Sequence, residues 1–288
     1  RHLSALPAPR LIGTNGPARP AHFLFPGLVQ TGGVAIVGPI SPRRSQPLTT
    51  LFTSVFPLLA YLAYNIIVPL IERARPSLSV IMNMQRRRWV ANATRRESPF
   101  DAILSGNIMG SVSFLASTSV LLVLAVFAVF GQLPTLMQAL DSLSLERTYS
   151  VLDVQIHLGV MLAMFVMAFF AFTLSLRQFN HFCIMLGALE HDRDATEEEI
   201  DAIAQMNGLG ARNFNSGIRA YYFSVATVAW FVSEWLAIAA CLVTVLILAH
   251  REFFSSAHRT AASAALIAAR LRRDAPPRSD RPAPSRDL

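Results

Sequence analysis

The sequence predicts an all-α fold: a polytopic transmembrane bundle of four helices with a short cytoplasmic helix and flexible termini. Of 288 residues, 53% are hydrophobic and only 15% are charged, whereas ordinary soluble domains carry about a quarter charged residues. The apolar residues are gathered in runs. Leu48 to Ile71, Ala102 to Leu140 and Val154 to Leu176 hold no charged residue, and Arg219 to Ala249 is broken after its opening arginine only by Glu234. Each run reaches the roughly 20 residues with which an α-helix crosses a bilayer. This pattern excludes a secreted disulfide scaffold, a soluble enzyme with one large core, and a disordered chain.

Taken in order, residues 1–47 hold eight prolines and are read as a flexible Pro-rich tail. The transmembrane domain is expected over 48–254, with helices at about 48–71, 108–131, 154–176 and 220–249. Pro57 and Pro69 are expected to kink or end the first helix, which carries Asn65 on its inner half. In the third connection, Thr196 followed by Glu199 is a capping box, and Asn207-Gly208 supplies a stop. A short acidic helix from Glu197 to Met206 follows. An EF-hand started at Asp192 fails, because its sixth position is Glu197 and its twelfth is Ile203. Residues 255–288 are expected to form an Ala/Arg-rich helix to about Arg273 and then a disordered tail.

All 25 basic residues are arginine, which excludes catalysis by a lysine amine. Most flank the apolar runs, where they meet anionic headgroups, so the net charge of +7 points to membrane lipids as partners and not to nucleic acid. Seven arginines lie between the first two helices and four between the last two, against Arg147 alone in the second connection. The positive-inside rule then puts the first and third connections in the cytoplasm and both termini outside. The opposing arginines Arg43, Arg44, Arg251 and Arg259 flank the outer ends. Cys183 and Cys241 form no CxxC pair and read as buried small residues.

Several residues are candidates for chemistry. Gly106 and Gly110, continued by Ser113 and Ser117, put small residues on one helical face; packing inside the bundle, homodimerisation and a polar pore wall are the readings of such a face. Arg177, Gln178 and Asn180 leave the third helix while Asn213, Asn215, Arg219 and Tyr221 approach the fourth. Converging at one depth, Arg177, Gln178, Asn180, Asn213 and Arg219 would form an anion or lipid site; the alternative is anchoring at the headgroups. Glu234 sits near the middle of the predicted fourth helix between Trp230 and Trp235. A carboxylate there is a structural hydrogen-bonded acid, an intramembrane proton or ion site, or a sign that the helix centre is misplaced. The stretch Met84-Gln85-Arg86-Arg87-Arg88-Trp89-Val90 suits a helix lying in the inner interface, for lipid sensing, docking or orientation by charge.

Haem would need facing histidines, and the pair available by position is His157 with His250 at the outer ends of helices three and four. His181 and His191 lack a zinc spacing, and no nucleophile elbow, HExxH, Walker loop or dinucleotide fingerprint is found. No metal, cofactor or catalytic residue is therefore assigned.

Ser113-Phe114-Leu115-Ala116-Ser117-Thr118-Ser119, Phe172-Thr173-Leu174-Ser175-Leu176-Arg177-Gln178-Phe179-Asn180, Phe214-Asn215-Ser216-Gly217-Ile218-Arg219-Ala220-Tyr221-Tyr222-Phe223, Ala229-Trp230-Phe231 and Arg251-Glu252-Phe253 together resemble a four-helix membrane family catalogued as a domain of unknown function, number five hundred and ninety-nine. The resemblance covers roughly Leu51 to Phe254. It implies a multi-pass α-helical protein of the bacterial cytoplasmic (inner) membrane, and brings no substrate, cofactor or catalytic residue. The expected function is a noncatalytic scaffold or interaction protein, with a homo-oligomer or another membrane protein as partner; the alternative is an oligomeric proton-coupled or small-anion transporter.

Overall fold

The computed structural model describes residues 47–93, 96, 99–142, 149–190 and 193–274. Expectations for the proline-rich tail, for Arg43, Arg44, Arg95, Glu97, Glu146, Arg147, His191 and Asp192, and for the tail after Asp274, lie outside the described residues. All regular structure among those described is helical: α1 (Pro47–Ile71), α2 (Leu78–Ala91), α3 (Phe100–Gly131), α4 (Leu133–Ser142), α5 (Val151–Gly187), α6 (Glu197–Val228), α7 (Glu234–Phe253) and α8 (Ser256–Arg273), with a 3₁₀ turn at Ala229–Phe231 between α6 and α7. Four stretches are long and apolar enough to cross a membrane: Leu48–Ile71, Phe100–Gly131, Val151–Gly187 and Glu234–Leu271. Large apolar side chains line their outer faces, among them Ile66, Phe114, Leu121 and Leu246, as a bundle solvated by lipid requires.

The packing is built on the α5–α6 hairpin. Capping boxes start both helices, Ser150 with Asp153 on α5 and Thr196 with Glu199 on α6, satisfying amides that would otherwise be left unpaired. The two helices run antiparallel and close together because α6 is glycine at the contact points: Gly217 lies under the Phe172 ring and Gly210 under Phe179. Ser175 Oγ donates to the Gly210 carbonyl at 2.7 Å, tying the two backbones. α3 packs on α5 and meets α6 at Tyr221, α1 and α7 close over α6, and α2 and α8 lie side by side across one end. Tyr61, Val112, Met164, Phe172, Phe223 and Cys241 are buried where these helices meet.

Two expectations are corrected. The predicted fourth helix over 220–249 is not continuous. α6 ends at Val228, the 3₁₀ turn follows, Ser233 is extended, and α7 starts afresh at Glu234. No glycine or proline forces this break; the fully buried Trp230 occupies the turn, and Ser233-Glu234 opens the next helix with an acidic residue in its first turn, where the helix dipole favours one. Second, Asn207-Gly208 does not stop α6, which runs on for 32 residues. Its missing Cβ instead admits α2, since a side chain at Gly208 would meet the Asn83 amide oxygen at 3.1 Å. The short acidic helix is thus the first part of a long one.

The start of α1 and the end of α7 lie at opposite ends of the bundle. The start of α1 meets the start of α7, where Thr50 donates to Glu234 at 2.8 Å. Toward the other end of α1, Asn65 accepts from Arg219, and α8 reaches back to the α1–α2 connection through His258 and the Pro76 carbonyl at 3.0 Å. α1 and α7 are therefore parallel and α6 opposes both. Pro57 and Pro69 both lie within α1, which neither of them ends.

The glycine contacts give a stability test. Gly217→Ala would put a Cβ about 2.6 Å from the Phe172 ring, and overpacking of this kind typically costs about 1–3 kcal/mol. Thermal unfolding of the purified protein should show a clear loss for Gly217→Ala and none for Gly106→Ala, whose Cβ would meet nothing within 4 Å.

Candidate functional site

Polar side chains collect at three levels. At the end where α6 turns into α7, Trp230 is stacked on His157 of α5 with ring centroids 4.2 Å apart, and its indole N–H donates to Thr53 Oγ1 at 3.2 Å. His157 Nε2 lies 3.0 Å from the Thr227 carbonyl. A carbonyl only accepts, so this nitrogen carries the proton and Nδ1, buried and without a partner, does not. Glu234 accepts from Thr50 and is 5% exposed. It is thus a buried carboxyl at a helix N-terminus beside a hydroxyl, not a charge in mid-helix.

At the arginine-rich end, Arg219 Nη2 lies 2.9 Å from Glu252 with both side chains only about one-tenth exposed (12% and 11%). Nη1 donates to Asn65 Oδ1 at 3.0 Å, and the guanidinium lies over the Tyr64 ring at 5.1 Å. Ser79 and Asn215 extend the network, Asn215 Nδ2 donating to Ser79 Oγ at 3.1 Å. This cluster pins α1, α6 and α7 together, and a charge pair so enclosed holds its partners in place because separating them strands each charge.

The anion site expected from Arg177, Gln178, Asn180, Asn213 and Arg219 does not assemble. Arg177 and Asn180 are exposed. Gln178 and Asn213 are engaged with each other, Asn213 Nδ2 donating to Gln178 Oε1 at 2.7 Å. In the antiparallel register that sets Gly217 against Phe172, Arg219 lies about two turns further along the hairpin than Arg177, on the order of 11 Å. Glu252, on another helix, is the residue that Arg219 meets, and only the reversal at Trp230 brings it there. His157 and His250 are likewise separated to opposite ends of the bundle: His157 stacks on Trp230, whereas His250 stacks on Phe254, a ring that lies under Arg75. Among the described residues no group of three His, Cys, Asp or Glu side chains is placed to hold a metal ion.

The small residues of α3 also fall elsewhere than inside the bundle. Gly106, Gly110, Ser113 and Ser117 are all exposed, while the buried line of α3 is Ser105, Val112, Ala116, Ser119 and Val126. Ser119 turns inward to Tyr221, oxygen to oxygen at 2.7 Å.

The third level is the amphipathic α2 across the arginine-rich end. Arg87 pairs with Glu197 and Asp201 at the start of α6, and these bonds raise its pKa above the ordinary guanidinium value. Trp89 packs at a tilt against Phe182, ring centroids 5.2 Å apart, and donates to Asp101 at 2.5 Å. Arg86 turns inward: Nε donates to Asn207 Oδ1 at 2.8 Å and Nη1 to Asn83 Oδ1 at 3.0 Å. Burial, and then the neighbouring Arg212 charge, push its pKa down. Above it lies a cavity of about 400 Å³ between α2, α3, α5 and α6.

The Arg219–Glu252 pair predicts strong coupling. Glu252→Gln alone leaves a nearly buried guanidinium without its counter-charge, and losing one partner of such a pair costs roughly 3–5 kcal/mol. A double-mutant cycle with Arg219→Gln, read by chemical denaturation, should give a double variant less destabilised than the sum of the singles; simple additivity would show that the pair does not act as a unit.

No curated protein and no solved structure matches this chain. A family model does, over residues 52–257, which include most of α1, the α5–α6 hairpin, the Trp230 turn and Glu252. By that match, which spans most of its length, the chain belongs to the family described as "Protein of unknown function, DUF599".

Proposed function

We propose that the protein is a noncatalytic scaffold of the bacterial cytoplasmic membrane that assembles with another transmembrane helix through the exposed small-residue face of α3. The carrying observation is that a Cβ at Gly106 or Gly110 would meet nothing within 4 Å, although glycines at those spacings let two helices approach closely. In the same molecule, Gly210 and Gly217 are covered by rings. The groups that motivated transport are engaged internally, Glu234 by Thr50 and Arg219 by Glu252, which favours the scaffold over a charge-carrying path. By the positive-inside rule, the end built from α2 and the start of α6 faces the cytoplasm. A second copy of the chain or a different membrane protein would fit the α3 face equally.

Gly110→Cys in a background with Cys183 and Cys241 replaced by alanine tests this in native membranes. A short thiol crosslinker should give a discrete larger species, and two differently tagged copies of the chain separate self-association from a second partner. Gly106→Ile added to the Gly110→Cys background should abolish that species while leaving the thermal stability of the purified protein unchanged. A chain that stays uncrosslinked at native abundance would overturn the assembly.

A further inference from the structure

The cavity beside Arg86 sets one cation against apolar walls. Arg86 spends two N–H donors on the neutral amides of Asn207 and Asn83. No carboxylate among the described residues pairs with it, in contrast to Arg87, one residue on, which meets Glu197 and Asp201. The carbonyl oxygen of Asn207 must face Arg86, since an amide turned the other way would set donor against donor. Its Nδ2 therefore points elsewhere, and this atom is buried, on a residue 2% exposed, without a hydrogen-bond partner. A half-buried cation with no carboxylate partner thus borders this space, beside an amide whose N–H is buried without a partner.

The rest of that space is apolar. Val112, Phe179 and Phe214 form its walls, with Met82 and Ser111 exposed at its mouth. At about 400 Å³ it falls within the roughly 300–1,000 Å³ of ordinary ligand pockets. α2 itself lies across the end of the bundle and is not among the stretches that could span a membrane, which places the cation at the edge of the apolar zone and the aromatic walls within it. A guanidinium is suited to an oxyanion of carboxylate or phosphate type.

We propose that this cavity binds an amphiphilic anion, an acyl chain carrying a carboxylate or phosphate, with Arg86, held by Asn207 and Asn83, taking the charged oxygens and Val112, Phe179 and Phe214 the first part of the chain. The site is independent of the α3 assembly face and of the Arg219–Glu252 pair. Membrane phospholipid and free fatty acid share the required chemistry, and the experiment below distinguishes them.

The full-length protein, released from micelles doped in turn with oleate, dioleoyl phosphatidic acid, dioleoylglycerol or inorganic phosphate, is observed by native mass spectrometry. At least one of the two acids should be retained as a single adduct about tenfold more than uncharged dioleoylglycerol, and which acid is retained identifies the source. Inorganic phosphate should give no comparable adduct. Equal retention of dioleoylglycerol would remove the role of the charge, and equal retention of inorganic phosphate would remove that of the apolar walls; either result overturns the proposal. Arg86→Gln should lower acid retention about tenfold, while Arg87→Gln leaves it unchanged. The wild-type comparisons decide the matter even if Arg86→Gln does not fold.

Discussion

Trp230 is buried at the point where α6, α5 and α1 meet, stacked on His157 and donating to Thr53. The arrangement of the bundle follows from that placement. An indole wedged between two other helices cannot remain on a continuing α6 without carrying the next residues into the same crowded corner. The chain relaxes into a 3₁₀ turn and an extended serine before α7 begins. The reversal makes α7 run beside α1, sets Glu234 under Thr50, and returns Glu252 to Arg219 at the opposite end. One buried aromatic thus determines both the partner of a carboxyl at one end of the bundle and the partner of a guanidinium at the other.

Much of the fold was legible in the sequence because the strongest signals are simple. Long apolar runs, arginine-rich connections, the Thr196–Glu199 capping box and the Ala-rich segment after His250 all mark features that the structure contains. The errors share a cause: apolar composition reports that a segment is buried and says nothing about its direction. Across Arg219 to Ala249 the hydropathy is nearly unbroken, so the turn at Trp230 is invisible to it. The local signal was Ser233-Glu234, a serine at the cap position followed by an acid in the first turn, but without a glycine or proline it reads equally well as one charge within a span. Asn207-Gly208 gave the opposite error. Its usual meaning is a stop, yet here the asparagine binds Arg86 and the glycine makes room for Asn83.

The candidate site was less legible than the fold, for a related reason. Sequence proximity to helix ends suggested that Arg177 and Arg219 would act together, but helical phase exposes the first and buries the second. Arg86 lay within a run of three arginines that look equivalent in sequence. The tertiary structure separates their roles: Arg87 reaches the acidic start of α6, whereas Arg86 faces the cavity. Similarly, the small residues of α3 are spaced for close contact whether the neighbour belongs to the bundle or not. Only the position of the buried line through Val112 and Ala116 shows that they look outward.

The mixed character of α6 has a consequence for biogenesis. Its opening turns are acidic and its middle holds Asn207, Arg212, Asn213 and Asn215, so it does not rank with the four stretches apolar enough to cross alone. The translocation machinery would therefore meet a segment that gains little from lipid until its partners are present. α5 is synthesised before it and can receive its glycine face, but α7 must follow before Arg219 finds Glu252. Were α6 and α7 to enter as a joined hairpin with the Trp230 turn leading, Arg219 and Glu252 would trail at the arginine-rich end, and neither would have to pass through hydrocarbon unpaired.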